Sequence, residues 1–172
     1  MQVSRWLTAP SVAFVFAAVT AIPQPAQARE IVGFFGNYPA GTVVVRTSER
    51  SLYYMLGGGK AVRYPVGVGR AGRQWSGTTF INDKALQPTW VPPPVVRRDK
   101  PNLPSLIPGG APNNPLGAAV MTLAGGEKAI HGTNNPGSIG GSVSYGCIRM
   151  FNADVLDLYG RVGLGTRVIV MR

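Results

Sequence analysis

The chain holds one cysteine and one histidine among 172 residues, in Ile130-His131-Gly132-Thr133 and Ser144-Tyr145-Gly146-Cys147-Ile148-Arg149-Met150. A free thiol near pKa 8.5 is only a few per cent thiolate at neutral pH, so a neighbouring imidazole that takes its proton is the simplest activation. Taken alone, Cys147 reads equally as an inert buried residue and His131 as a satisfied core histidine. The glycine-rich return from Gly137 to Gly146 brings one back towards the other and favours a Cys147–His131 nucleophile pair. Gly146 permits close backbone approach to a substrate and leaves N–H groups for an oxyanion site. Ser144 competes as a nucleophile, but the serine-hydrolase elbow needs Gly-x-Ser-x-Gly and position 142 is Ser. A structural zinc site takes about four Cys or His ligands and a catalytic one about three, so no metal is expected through these side chains. A single cysteine also closes no disulfide within the chain.

Those residues need a scaffold, and the pattern around them reads as mainly β. With 23 Gly, 15 Pro and 45% hydrophobic residues, the chain can build a core from short strands joined by punctuated turns, which argues against a helical bundle and against wholesale disorder. Thr42 to Arg46, Ser51 to Leu56 and Lys60 to Gly69 read as successive antiparallel strands, with Gly57-Gly58-Gly59 as a turn. The stretch Gly67 to Gly72 fits a dinucleotide-binding glycine pattern, yet Arg73 to Thr79 does not open a helix, so cofactor binding is not expected. Between Gln87 and Gly117 nine prolines (88, 92, 93, 94, 101, 104, 108, 112 and 115) exclude a central strand or helix interior, and predict a long stiff loop. Loops beyond ~15 residues inside compact domains are usually lids or binding walls, which favours a lid over a linker. Asn152 is placed as the N-cap of a short helix carrying Val155, Leu156, Leu158, Tyr159 and Val162, halted by Gly163 and Gly165. Thr166 to Met171 reads as a closing strand.

The N-terminus reads as an export signal. Met1 to Arg5 is positive, Trp6 to Ile22 is mostly apolar, and Ala26-Gln27-Ala28 fits a signal-peptidase site, so cleavage is expected after residue 28. Pro10, Ser11 and two threonines interrupt the apolar run, which argues against a stable membrane span. The net charge of +10 rests on basic residues scattered along the chain, a pattern that points away from nucleic acid. Two readings of the charge stand: basic walls that steer carboxylate-rich cell-wall peptides, or a generally basic soluble surface.

The segment from His131 to Met150 resembles the catalytic domain of the YkuD-type L,D-transpeptidases, whose signature is a His-Gly-Thr-like element followed by Ser-x-Gly-Cys-[Ile/Val]-Arg. Tyr64 to Gly69, Pro88 to Pro93, Asn114 to Gly117 and Arg149 to Asp154 resemble further family stretches in the same order, so the likeness runs from about Thr42 to Met171. It implies a mainly β, mixed sandwich or barrel-like fold with one or two short helices and a long Pro-rich lid. Residues 29–172 would be the catalytic domain of a periplasmic enzyme acting on peptidoglycan stem peptides, without a cofactor. By the resemblance, Cys147 attacks, His131 takes the proton and the Gly132 carbonyl orients the imidazole. Gly146 and Ser144 shape the oxyanion site, and Thr133, Tyr145 and Arg149 belong to the substrate side. For Arg149 a plain ion pair with Asp154 stands beside that role. Many family members carry His where this chain has Tyr145, so no histidine role transfers to that position.

The acceptor amine implied is another stem peptide, giving a 3→3 crosslink, or a lysine of an outer-membrane lipoprotein; water would give L,D-carboxypeptidase trimming. Two other classes compete: a non-catalytic peptidoglycan-binding module, and a papain-like thiol hydrolase, in which the cysteine usually precedes the histidine. Here that order is reversed.

Overall fold

Val43, Val44 and Val45 are all fully buried, which a strand achieves only with cover on both faces. The computed structural model, which describes residues 29–172, supplies it; the expected export signal, residues 1–28, lies outside the described residues. In chain order the strands are β1 (Glu30–Gly33), β2 (Val43–Arg46), β3 (Ser51–Gly57), β4 (Lys60–Pro65), β5 (Val68–Gly69), β6 (Gly77–Leu86), β7 (Ala119–Leu123), β8 (Ala129–His131), β9 (Ser142–Ser144), β10 (Ile148–Arg149) and β11 (Arg167–Met171). Two helices, α1 (Pro94–Asp99) and α2 (Asn152–Arg161), complete the described elements apart from a single 3-10 turn at Pro136–Ser138.

Nine strands form one sheet in the order β1-β4-β3-β2-β11-β6-β7-β8-β10, and β5 pairs with β9 separately. The C-terminal β11 sits centrally, parallel to β2 (Val168 opposite Val43) and antiparallel to β6. One core cluster takes Tyr64 from β4, Val43 from β2, Met121 from β7, Ile130 from β8 and Ile148 from β10, so distant strands converge on the same interior and the sheet curls around it. A lone antiparallel bridge between Gly67 and Arg149 joins the end of the β4 segment to the edge strand β10 without closing the sheet. The opposite face of β2 and β3 is covered by a second cluster of Phe34, Val44, Tyr53, Met55 and Ala61. The fold is therefore mainly β.

Helix α2 docks through Val155, Leu158 and Val162, while Tyr159 packs at the margin and Leu156, expected on that face, is exposed. Lys84 from β6 donates to the Tyr159 carbonyl at 2.7 Å and also to that of Val162, satisfying carbonyls at the end of the helix. Buried Tyr64 donates to Asp157 at 2.6 Å and fixes the helix from the β4 side.

Three sequence expectations need correction. The stretch Lys60 to Gly69 is broken: β4 ends at Pro65, and β5 joins β9. The proline-rich segment contains a helix after all, because α1 opens with proline in its first turn, where the missing N–H has no helical partner to lose. The N-cap of α2 is Phe151, with no side-chain cap bond; Asn152 is the first helical residue.

Buried Asn114 holds the base of the proline-rich segment. Its Nδ2 donates to the Pro88 carbonyl at 2.8 Å and the Pro108 carbonyl at 2.9 Å, and its Oδ1 accepts from Leu116 N at 2.9 Å. Asn114→Ala strands these groups in a site that is 1% exposed. The variant is expected to lose about 2–3 kcal/mol of unfolding free energy, read from the urea midpoint at unchanged slope.

Candidate active site

Parallel pairing of β8 with β10 sets Ile148 opposite Ile130 and Arg149 opposite His131. Side chains alternate across a strand, so the two isoleucines enter the core while Cys147, Arg149 and His131 share the other face. The His131 strand is held from both sides: Gly132 N donates to the Ala119 carbonyl at 3.0 Å and Met150 N to the His131 carbonyl at 2.8 Å. His131, only 4% exposed, places Nδ1 at 2.6 Å from the Gly132 carbonyl oxygen. A carbonyl only accepts, so Nδ1 carries the proton and Nε2 is left as the base.

The turn before Cys147 is built on Ser144 and Gly146. Ser144 Oγ accepts from Gly146 N at 3.0 Å and donates to the Cys147 carbonyl at 2.6 Å. Gly146 has φ +123°, in the region that favours glycine, and its carbonyl accepts from Trp75 Nε1 at 2.8 Å. The Gly146 N–H is thus already engaged, contrary to the expectation that it is free for an oxyanion.

Cys147, His131, Arg149, Ser144 and Tyr145 line one cavity of about 360 Å³. Arg73 and Lys128 add positive charge to its wall and Glu127 a single negative one, while Trp90, Val96 and Leu116 form an apolar side from the proline-rich segment. That segment covers the cleft as a lid. Thr133 does not join the cleft; it is 2% exposed, its hydroxyl accepts from Asn135 N at 3.0 Å, and it lines a neighbouring cavity with Asn152.

Burial holds the His131 imidazole down at about 4, against an upward pull from the Gly132 carbonyl and a further push down from the Arg149 charge. Burial also raises the Cys147 thiol, opposed by a backbone contact at Ala129 and by Arg149 and Lys128. The resting pair is therefore neutral thiol and neutral imidazole. Arg149 is itself lowered by burial, its Nε is buried without a hydrogen-bond partner, and no carboxylate among the described residues lies within ion-pair distance of it. The ion pair with Asp154 is absent, and Arg149 faces the cleft.

Tyr145 reaches away from the nucleophile to the lid. Its hydroxyl donates to Asp99 Oδ2 at 2.8 Å, Arg70 binds the same oxygen at 2.8 Å, and the Arg70 guanidinium stacks 4.3 Å from the Tyr145 ring centre. Asp99 ends α1, so this cluster clasps the lid helix to the turn carrying Cys147. Asp99 and Trp75 escape motif reading because each acts from a distant stretch of chain.

The glycines that mimicked a dinucleotide site serve close packing instead. A Cβ on Gly67 would stand 2.7 Å from the Ser138 carbonyl oxygen and one on Gly69 2.6 Å from that of Arg73. Among the described residues no group of three or more His, Cys, Asp or Glu is placed to hold a metal, and no helix is long and apolar enough to cross a membrane.

Comparison with known proteins bears on the same segment. Residues 40–170 match the family model described as "YkuD: L,D-transpeptidase catalytic domain". The Escherichia coli protein named "Probable L,D-transpeptidase ErfK/SrfK" is 39% identical over 138 residues, covering 75% of this chain and 43% of that protein. "Probable L,D-transpeptidase YcfS" of Escherichia coli is 36% identical over 143 residues, covering 77% and 44%. The chain thus spans less than half the length of these curated relatives. An L,D-transpeptidase from Mycobacterium smegmatis superposes with TM-score 0.58 at 18% identity over 76% of this chain and 58% of that one. L,D-transpeptidase 3 from Mycobacterium tuberculosis gives TM-score 0.59 at 14% identity over 76% and 60%. The two solved structures share the fold, and with the family model matched across the strands that carry His131 and Cys147, the chain belongs to the L,D-transpeptidase catalytic-domain family.

Proposed function

We propose that this protein is an exported cysteine L,D-transpeptidase that acts on peptidoglycan stem peptides through a thioester on Cys147. The observation that carries this reading is the β8–β10 register, which sets Cys147 and His131 on one face and into one cavity, with the imidazole tautomer fixed by Gly132. The Cys147 Sγ–carbon bond forms at the carbonyl preceding a terminal D-residue as the thiol proton passes to His131 Nε2. The C–N bond then breaks and the imidazolium proton leaves with the departing amine. An acceptor amine attacks the thioester, gives its proton to His131, and the thiol is restored. Because Ser144 occupies the Gly146 N–H, the oxyanion falls to the Cys147 N–H, which has no hydrogen-bond partner among the described residues. Arg149, Arg73 and Lys128 give the cleft a positive lining suited to a peptide rich in carboxylates. Residues 1–28 would direct export to the periplasm, leaving a mature chain that begins at Arg29.

The deciding experiment incubates the protein with a purified disaccharide-tetrapeptide and analyses the products by mass. A crosslinked dimer with a transient acyl-enzyme mass on the protein is expected. Conversion to tripeptide alone would make it a carboxypeptidase, transfer only to a lipoprotein lysine would make it an anchoring enzyme, and binding without turnover would leave a wall-binding module. Cys147→Ala abolishes the adduct, and His131→Gln lowers kcat by about 10²–10⁴-fold.

The buried histidine sets the pH response. Neutral imidazole is the base, so kcat/KM is expected to rise with pH through a midpoint near 4, below the ordinary histidine value of 6.5. The unfolded chain binds the proton first as pH falls, so stability drops between about pH 6.5 and 4 by up to ~3 kcal/mol from this group. Urea unfolding across that range measures it.

The clasp on the lid gives a separate expectation. Tyr145→Phe keeps the stack on Arg70 but loses the bond to Asp99, and Asp99→Asn weakens both partners. Each variant is expected to speed amide hydrogen exchange in Pro94–Asp99 while leaving exchange in β7 and β8 unchanged.

A further inference from the structure

Asn152 stands outside the cleft, yet its side chain reaches the peptide that holds the histidine. Asn152 Oδ1 accepts from Thr133 N at 3.0 Å and from Ala118 N at 3.1 Å. The Thr133 N–H and the Gly132 carbonyl are the two ends of one peptide group, which is trans, so they point in opposite directions. One end is gripped by Asn152 and the other receives the proton of His131 Nδ1 at 2.6 Å. The chain of groups runs from the Asn152 amide through the 132–133 peptide to the imidazole.

The surroundings are shaped to admit this oxygen. A Cβ on Gly132 or on Gly117 would collide with Asn152 Oδ1, so both positions leave room for it. Gly117 has φ +64°, a conformation that also favours glycine. The second bond, to Ala118 N, fastens the end of the lid segment to the same oxygen, and the Ala118 carbonyl in turn accepts from Gln87 N at the start of that segment.

Resting on the proposed Cys147–His131 chemistry, we propose that Asn152 is a positioning residue that fixes the 132–133 peptide plane and thereby the tautomer and orientation of His131. An acceptor on the N–H end polarises the amide and makes the Gly132 oxygen a better acceptor for Nδ1–H, as cooperative hydrogen-bond chains do. Without Asn152 the peptide is free to rock, the carbonyl loses its aim and Nε2 no longer stays bare. Asn152 thus does through the backbone what a third side chain does directly in a triad.

His131 is the only histidine of the chain, so its imidazole is read without ambiguity by long-range proton–nitrogen NMR. In the wild type the Nδ1–H tautomer is expected alone. In Asn152→Ala both tautomers are expected, with kcat lowered about tenfold to a hundredfold and KM changed less than about threefold. Asn152→Asp keeps an acceptor at the same place. It is expected to restore the single tautomer, recover most of kcat relative to Asn152→Ala, and raise the pH at which the imidazole titrates.

A folded Asn152→Ala that keeps one tautomer and full kcat overturns the proposal, as does an Asn152→Asp that behaves like the alanine variant. If Asn152→Ala does not fold, the titration in Asn152→Asp decides: an upward shift supports the role and no shift overturns it. The spectrum needs no substrate, so tautomer mixing in Asn152→Ala with no turnover by the wild type would defeat the transpeptidase reading while upholding the positioning role.

Discussion

A slip of one residue between β8 and β10 would turn Cys147 and Arg149 into the core and push Ile148 into the cleft, since side chains alternate across a strand. The pairing is only two residues long on the β10 side, so something besides its own ladder must hold it. Two constraints do. Ile130 and Ile148 are fully buried in the same cluster and would lose that burial on slipping. Gly67 and Arg149 also exchange a pair of backbone bonds at 2.9 and 2.8 Å, clamping β10 from its other edge. The clamp requires glycine at 67, where a side chain would strike the Ser138 carbonyl. Placement of Cys147 and His131 in one cavity is therefore a property of the curled sheet.

Electrostatics within that register favour a neutral resting pair. The same burial that lowers the imidazole raises the thiol, and Arg149 lies near both with no counter-charge. Its positive charge assists a thiolate and opposes an imidazolium, so it does not favour a standing ion pair. The Arg149 Nε, buried and without a partner, is costly to the fold.

The strands with β-branched runs, the closing strand, the mainly β class and the lid were legible in the sequence because each rests on local periodicity or on proline's fixed geometry. The motif around Cys147 marked the chemistry, as it places several rare residue types within twenty positions. What local reading missed is non-local. The clasp joins Arg70, Asp99 and Tyr145 across 75 positions of chain, and Asp99 alone in a basic segment carries no signal. Asn152 looked like a helix cap because asparagine before an apolar helical stretch usually is one. The cap instead falls one residue earlier, on Phe151, and tertiary contacts with Thr133 and Ala118 claim the side chain. Thr133 lines the neighbouring cavity because β8 ends at His131 and the chain has left the strand before it, its N–H taken by Asn152.

The lid joins the body by unequal attachments. Its base is fixed by Asn114, whose bonds are buried and whose loss would leave orphaned polar groups. Its exit is fixed by Asn152 and by the Gln87–Ala118 bond. The helix tip is held by Asp99, Arg70 and Tyr145, all solvent-facing groups whose attraction salt screens and water replaces at little cost. Nine prolines stiffen what lies between. Of the two attachments, the solvent-facing one at the tip is the one that salt weakens. The tip is clasped by Tyr145, two residues before Cys147, so α1 and the turn that carries Cys147 are tied through one side chain.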